Sequence, residues 1–477
     1  MAFCLEDFAL SSRPKIDLEG FKKKWLDNGG VPLSEKQWEI VEEVSQVADS
    51  KGQGLLKGPA GTGKTTVMVA TVIFLTLRGI RVQVTAPTHK AVKVLADKIE
   101  PLSRKFGAYP PEPRTIHSVL SLVPKRVIPG EPEGYRRNGV LCLDGIDLII
   151  VDECSMVGQE LHRYIVNDTE EHELSLLFAG DSYQLKPVNE RGQSLTFCTD
   201  HQMVLKDVVR HGGPILDLAT ETRRNLTGRL PEVKEKCDYV SSIFCYEDSD
   251  DLVRRWLDKL EQSKGSIVFL CWTNNVRRTA NGLARKCLYG EGVPTYVKGD
   301  RLLALSAYEK KRKVLIQNNA EVTVQGAYFI KDYCPLAGSP HSYNCWLLTL
   351  DDNLTVYVLD EDEREKFNKQ LGELSDEIRK NVEIAKATMM AAKGTYQEKA
   401  KERELNYAKS RWKTEYFALR DAFADLDYSY AITIHKSQGS TYDSVFIHDD
   451  FKQSDEKMQL FYVALTRAAK EVHCIGG

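Results

Sequence analysis

An α/β chain built on parallel sheets is what this sequence predicts, and three observations predict it. GPAGTGKT, from Gly58 to Thr65, follows a strand-like GLLK and leads into an apolar helix-like VMVATVIFLTL. A second apolar strand-like run, Leu148 to Val151, ends in the acidic pair Asp152-Glu153. Further runs, RVQV, LLFAG and YAITI, also stop at polar turns, as buried strands bounded by turn signals do.

The bulk numbers bound the rest. A chain of 477 residues is long for one core, and the usual scaling suggests about three domains. Its 42% hydrophobic and 28% charged residues are ordinary soluble composition. The net charge of −3 excludes binding to nucleic acid by bulk charge, so any such binding must use a local groove. The eleven cysteines include no CxxC pair and no zinc spacing, and MAFCLEDFAL has no basic leader region. Free thiols in a reducing cytoplasm follow. The run VMVATVIFLTL is too short to span a bilayer and meets Arg78, so a buried helix and no membrane are expected.

GPAGTGKT fits the phosphate loop G-x-x-x-x-G-K-[ST]. Glycines let backbone N–H groups turn toward phosphate oxygens, and the next helix points its positive end there. The loop residues Gly58, Pro59, Ala60, Gly61, Thr62, Gly63, Lys64, Thr65 and Thr66 are the candidate cradle. Lys64 reaches the β- and γ-phosphates, and the Thr65 hydroxyl and Asp152 suit Mg²⁺. Glu153 then polarises the attacking water. A nucleoside triphosphatase is the reading.

Five more segments occur in order: TAPTHKAVKVL, TIHSVL, LLFAGDSYQLKPV, YAITIHKSQGSTYDSVFI and YVALTRA. Together they resemble the motif ladder of superfamily 1 helicases, and the Leu-x-Pro-Val at Leu185 resembles the RecD-like, 5′-to-3′ branch. Nearest within it are the small Dda-type helicases of T-even phages. The resemblance runs from LSEKQ to the final strand and is weakest between about 305 and 425.

The resemblance implies ATP as the nucleotide and assigns roles. Gln37 reads the adenine edge, Gln184 senses the γ-phosphate, and Gly439 belongs to the nucleotide-side motif HKSQG. Arg210 and Arg467 approach the γ-phosphate from a second lobe, Arg467 from the helix-like stretch DEKMQLFYVALTRAAK. Candidate strand contacts are Thr85, Pro87, Thr88, His89, Thr115 and His117 in the first lobe. In the second they are Thr273, Asn274, His435, Lys436 and Ser437. Hydroxyls, amides and flat rings suit phosphates and bases.

The resemblance also implies two RecA-like domains, 1–118 with 142–212 (1A) and 213–299 with 425–477 (2A). A β-hairpin wedge occupies 119–141 (1B), its tip at Ile128 to Tyr135, with Tyr135 as the candidate junction contact. From 300 to 424 (2B), short strand-like runs suggest a small SH3-like β-barrel, and two long charged helices broken at Gly394 suggest a helical tower. Trp412, Tyr416 and Phe417 would pack near its base.

The expected function is ATP-dependent translocation on single-stranded DNA, 5′ to 3′, with strand separation at duplex junctions. A monomer in the cytoplasm, a host's if phage-encoded, would serve replication or recombination alongside proteins of those processes. Three alternatives stay open. They are a translocase that strips bound proteins, an RNA helicase, and a remodelling subunit that uses ATP as a switch.

Overall fold

The computed structural model describes residues 16–125, 128–129, 134–187, 190, 192–206, 213–226, 228–262, 266–310, 313–336 and 341–476. Packing divides the chain into two units. One gathers Met1–Val123, Tyr135–Ala284 and Ala431–Gly477, and the other Pro124–Gly134 and Arg285–Tyr430.

The first unit holds two six-stranded sheets. One runs Arg114–Thr115, Val82–Ala86, Leu148–Val151, Ser175–Gly180, Gln53–Lys57, Gln202–Val204, with every neighbouring pair parallel. Its middle strands Leu148–Val151 and Ser175–Gly180 are buried at every residue, which is why they read as unbroken apolar runs. The helix Lys64–Leu77 buries Val67 through Leu75 without a break, so the apolar run after the phosphate loop is core, as expected. Phe21, Trp25, Trp38 and Phe74 join that core.

The other sheet runs Ala431–Thr433, Ile267–Cys271, Tyr442–Ile447, Ala468–Ile475, Ser242–Tyr246, Lys236–Cys237, parallel except for the last pair. One expectation changes at its end. The final helix covers only Lys457–Leu465, and the last strand begins at Ala468. Arg467 therefore stands in the turn between them, where strand pairing of Tyr442 with Ala468 takes over from helical bonding.

The second unit carries a five-stranded antiparallel sheet, Thr355–Leu359, Tyr343–Leu350, Glu321–Tyr333, Arg301–Ala304, Leu426–Tyr428. Glu321–Tyr333 is one strand of 13 residues where short strands were expected. Register shifts at Val324/Gly326 and Ile330/Tyr333 break the period-2 pattern and disguise its length. The helices Arg364–Ala391 and Glu398–Arg411 meet through Ala385, Leu405 and Ala408, with Gly394 at φ +78° in the link. The second does not continue as one α-helix. Trp412–Tyr416 form a π turn before a short helix at Phe417–Arg420. That turn places Trp412, Tyr416 and Phe417 on Ile378, and Ile128 packs on the same cluster. Arg379 donates to the Pro129 carbonyl beside it. Among the described residues no helix is long and apolar enough to cross a membrane.

Candidate functional site

Three adjacent strands of the all-parallel sheet, Leu148–Val151, Ser175–Gly180 and Gln53–Lys57, end together, and loops at the carboxyl ends of such strands are where α/β sheets bind ligands. The loop after Gln53–Lys57 is Gly58 to Gly63. Gly63 lies at φ +82°, and a Cβ there would come 2.6 Å from Gln37 Nε2, so the loop has room for glycine alone. Gly63 is also the cap of the following helix and makes no side-chain cap bond, which leaves first-turn N–H groups for an anion. Lys64 Nζ folds back over the loop, 2.5 Å from the Gly58 carbonyl and 3.1 Å from that of Pro59. An ammonium whose hydrogen bonds among the described residues go to neutral carbonyls suits an anionic phosphate. Thr65 and Thr66 open the helix.

Gln37 is buried. Its Oε1 accepts from the Ser34 amide and its Nε2 donates to the Thr62 carbonyl at 3.0 Å. It caps its own helix and braces the phosphate loop, so both ends of the amide already have protein partners.

Asp152 and Glu153 follow the strand Leu148–Val151, as the motif predicts. Asp152 is buried, and burial, then the Glu153 carboxylate, push its carboxyl up to about 7, against the pull of Lys64. The Asp152 carboxylate and the hydroxyl of Thr65, which opens the loop helix, are oxygen donors of the kind that fits Mg²⁺. Glu153 has φ +51°, a conformation that costs a non-glycine residue about 1–3 kcal/mol and clusters at functional sites. After the strand Ser175–Gly180, Gln184 is buried and its Oε1 has no hydrogen-bond partner among the described residues. A stranded buried acceptor costs about 1–3 kcal/mol, and a water or hydroxyl donor beside a phosphate would satisfy it.

Arg467 is 6% exposed. Its guanidinium donates to the Val463 carbonyl (3.1 Å), the Ser440 carbonyl (3.2 Å) and the Thr466 hydroxyl (2.9 Å). Burial lowers its pKa, and the Glu153 carboxylate is the foremost group opposing that. Arg467 thus brings a desolvated charge from the second sheet into the field of the acidic strand end of the first. Gly439 packs toward Thr88 and Ala91, 3.7 Å from each where a Cβ would stand. Arg210 lies outside the described residues, as do Val188 and residues 130–133 of the expected hairpin tip.

One residue of this site went unnoticed in the sequence. Tyr462 Oη donates to Asp181 Oδ2 at 2.7 Å and lies 3.0 Å from the Ala60 amide, which also meets Asp181 Oδ2 at 3.0 Å. In YVALTRA the tyrosine reads as one more apolar helix position, and only its hydroxyl could have signalled otherwise.

The strand-contact candidates divide. Thr85 is fully buried, its hydroxyl bonded to the Ile150 carbonyl, and Ser437 is fully buried on the Ile434 carbonyl. Neither side chain can touch a strand, because each sits beneath the surface its neighbours form. Thr115 is buried and caps the helix that follows it, with Ser118 as donor. Thr88 caps the helix His89–Phe106. Pro87 is half-buried and His89 exposed. Asp450 clamps the Trp272 and Thr273 amides and the Thr273 hydroxyl, each at 2.8 Å, beside an exposed Asn274. His435 and Lys436 are half-buried, and burial lowers the His435 pKa. The hairpin strands are Leu122–Pro124 and Tyr135–Arg137. Tyr135 therefore starts the return strand at the stem, packed 5.0 Å from the His117 ring. It is not a tip residue.

Comparison with known proteins follows that geometry. Residues 32–236 match the AAA domain family and residues 428–475 the UvrD-like helicase C-terminal domain family. The chain is similar to the ATP-dependent DNA helicase dda of Enterobacteria phage T4, 25% identical over 90% of this chain and 95% of that one. It is also similar to the RecBCD enzyme subunit RecD of Buchnera aphidicola subsp. Schizaphis graminum, 31% identical over 28% of this chain and 23% of that one. Among solved structures, a Pif1 helicase from Bacteroides in complex with ADP-AlF3 and ssDNA aligns over 93% of this chain and 92% of that one. The identity is 16% and the TM-score 0.48.

Proposed function

We propose that this chain, a superfamily 1 helicase, hydrolyses ATP to translocate 5′ to 3′ on single-stranded DNA and to separate duplex strands. The observation that carries the reading is Arg467, a buried charge from the second sheet in the field of Glu153 at the strand ends of the first. A nucleotide between them gives the two sheets a reason to close on each other and, once it is hydrolysed, a reason to part.

In this reading Gly58 to Thr66 cradle the phosphates and Lys64 leaves its carbonyls for the β- and γ-phosphates. Gln37 steadies the loop beside the adenine. Thr65 and Asp152 hold Mg²⁺, which when bound neutralises charge on the phosphates. Glu153 orients and deprotonates water, with Gln184 as its second anchor. Arg467, with Arg210, stabilises charge growing on the γ-phosphate, a contribution typically of about 10³- to 10⁵-fold in turnover. The 1A and 2A domains then take the boundaries read from the sequence. The hairpin at 119–141 is the wedge, and the antiparallel sheet and helices of 300–424 are the SH3-like barrel and tower behind it. Contacts of Ile128 and Pro129 with the tower base support that role. His89, Asn274, His435 and Lys436, none of them fully buried, grip the DNA strand. A cytoplasmic monomer working at replication or recombination forks completes the proposal.

Strand displacement on two duplexes that differ only in tail polarity tests it, with Lys64→Ala as the blank. Opening of the 5′-tailed duplex alone is expected. Opening of the 3′-tailed duplex alone would overturn the polarity. DNA-stimulated hydrolysis that opens neither would replace unwinding with displacement of bound proteins.

A further inference from the structure

The Arg467 turn needs something to set its distance from the phosphate loop, and three hydrogen bonds to its own lobe do not do so. Two ties between the sheets are partly solvated: Lys186 with Glu456 at 3.3 Å, and Lys90 with the Tyr442 hydroxyl at 3.3 Å. Exposed pairs of this kind contribute little. The tie at Tyr462 differs. Tyr462 is 1% exposed and Asp181 not at all. A buried carboxyl group must be met by hydrogen-bond partners, and here Oδ2 meets Tyr462 Oη and the Ala60 amide while Oδ1 meets the Tyr183 amide. The Asp181 carbonyl in turn receives the Gln184 amide at 3.2 Å. One carboxylate therefore joins the phosphate loop, the Gln184 turn and the helix Lys457–Leu465, and among the described residues Tyr462 is its one hydrogen-bond partner from that helix. Its ring is fixed edge-on to Tyr183, 6.4 Å between centroids, so the hydroxyl is aimed by packing.

We infer that Tyr462 is a positioning residue that docks the helix preceding Arg467 onto the Asp181 turn and the phosphate loop. It thereby sets the approach of Arg467 and of Gln184 to the γ-phosphate together. The inference rests on the proposed ATP site and deepens it. Tyr462 touches no substrate; it acts through Asp181. Its hydroxyl is dispensable for folding the helix, whose other buried residues Met458, Leu460, Phe461, Val463, Ala464 and Leu465 are apolar, so Tyr462→Phe removes the tie and little else.

The test is steady-state ATP hydrolysis with saturating single-stranded DNA on the full chain, with Tyr462→Phe, Asp181→Asn and the double variant. Tyr462→Phe is expected to lower kcat about tenfold, with KM for ATP and the Kd for a labelled oligonucleotide unchanged. The double variant is expected to be no slower than the slower single, because both remove one interaction. A wild-type kcat in Tyr462→Phe, or losses that multiply in the double, would overturn the inference. So would a lowered melting temperature with kcat per active site intact, the mark of a merely structural residue. If Tyr462→Phe does not fold, Asp181→Asn carries the same expectation, and wild-type turnover there overturns it. A wild-type chain whose hydrolysis ignores DNA would instead overturn the helicase reading, and this inference with it.

Discussion

The two six-stranded sheets are built alike but supply their functional groups differently. In the all-parallel sheet the groups come from the backbone outward. Three neighbouring strand ends fix the phosphate loop, the Asp152-Glu153 pair and the Asp181-Gln184 turn, and glycines open the space between them. In the second sheet the working charge sits past a helix end, held by side-chain hydrogen bonds to Val463, Ser440 and Thr466. In the proposed cycle the first site is prepared before its partner arrives, and the second is delivered to it. A motor needs both, because a charge that is delivered can also be withdrawn.

The largest expected effect separates the two contributions. Lys64→Ala and Glu153→Gln strip the prepared side and should abolish hydrolysis while leaving strand binding intact. Arg467→Ala strips the delivered side. It should retain ATP binding, read by a fluorescent nucleotide analogue, and lose about 10³-fold or more in turnover. Arg467→Lys should not rescue it, since one ammonium nitrogen cannot span the three acceptors that Nε, Nη1 and Nη2 of the guanidinium reach. If Arg467→Ala turns over near normally, the second sheet delivers nothing and the comparison fails.

A smaller effect concerns how each sheet tolerates acid. His473, on the last strand of the second sheet, is stacked between Phe244 and Phe446 with centroids 4.7 Å and 4.0 Å away. Its Nδ1 meets the Tyr246 hydroxyl at 2.8 Å and its Nε2 lies 3.5 Å from Glu471. Burial, helped by the Lys259 and Arg255 cations and opposed by Glu471, lowers its pKa from 6.5 to about 4. The folded state thus binds the proton less well than the unfolded chain. The stability this confers is full above pH 6.5 and drains away as pH falls from 6.5 toward 4, by up to about 3 kcal/mol. Urea midpoints at pH 7 and pH 4.5 should show the loss, and His473→Phe should flatten it. In the first sheet's surroundings, burial lowers His117 in the same direction, so His117→Ala is the matching control. A slope unchanged by His473→Phe would assign the acid sensitivity to the other histidines that burial lowers, His117, His162 and His435.

Legibility in the sequence follows the same division. The phosphate loop, the acidic strand end and the buried helix after Lys64 could be read directly, because each is a contiguous stretch whose spacing carries its chemistry. What escaped depends on contacts between distant stretches. Tyr462 looks like core until its hydroxyl meets Asp181. Gln37 reads as an adenine contact until Ser34 and the Thr62 carbonyl take both ends of its amide. Glu321–Tyr333 hides its length behind two register shifts, and the π turn at Trp412 has no period to betray it. The strand-contact residues were the least legible, since hydroxyl residues near a motif serve caps and sheet bonds as readily as ligands.

That last point gives the smallest and most discriminating prediction. Thr85 lies within the strand Val82–Ala86 and Ser437 in the turn after the strand Ala431–Thr433, and both looked like strand contacts. Each hydroxyl is spent on a backbone carbonyl, Thr85 on Ile150 at 2.8 Å and Ser437 on Ile434 at 2.7 Å. Thr85→Val and Ser437→Ala should each lower stability by about 1 kcal/mol while leaving oligonucleotide affinity within about twofold. His89→Ala and Lys436→Ala should do the reverse, and Lys436→Ala should also reduce the slope of log Kd against log salt by about one. Fluorescence anisotropy across a salt series, paired with urea melts, separates the two behaviours. Loss of affinity in Thr85→Val with stability intact would mean that the sheet opens on the strand and exposes a residue buried here. The prepared sheet would then have to move as much as the delivered one.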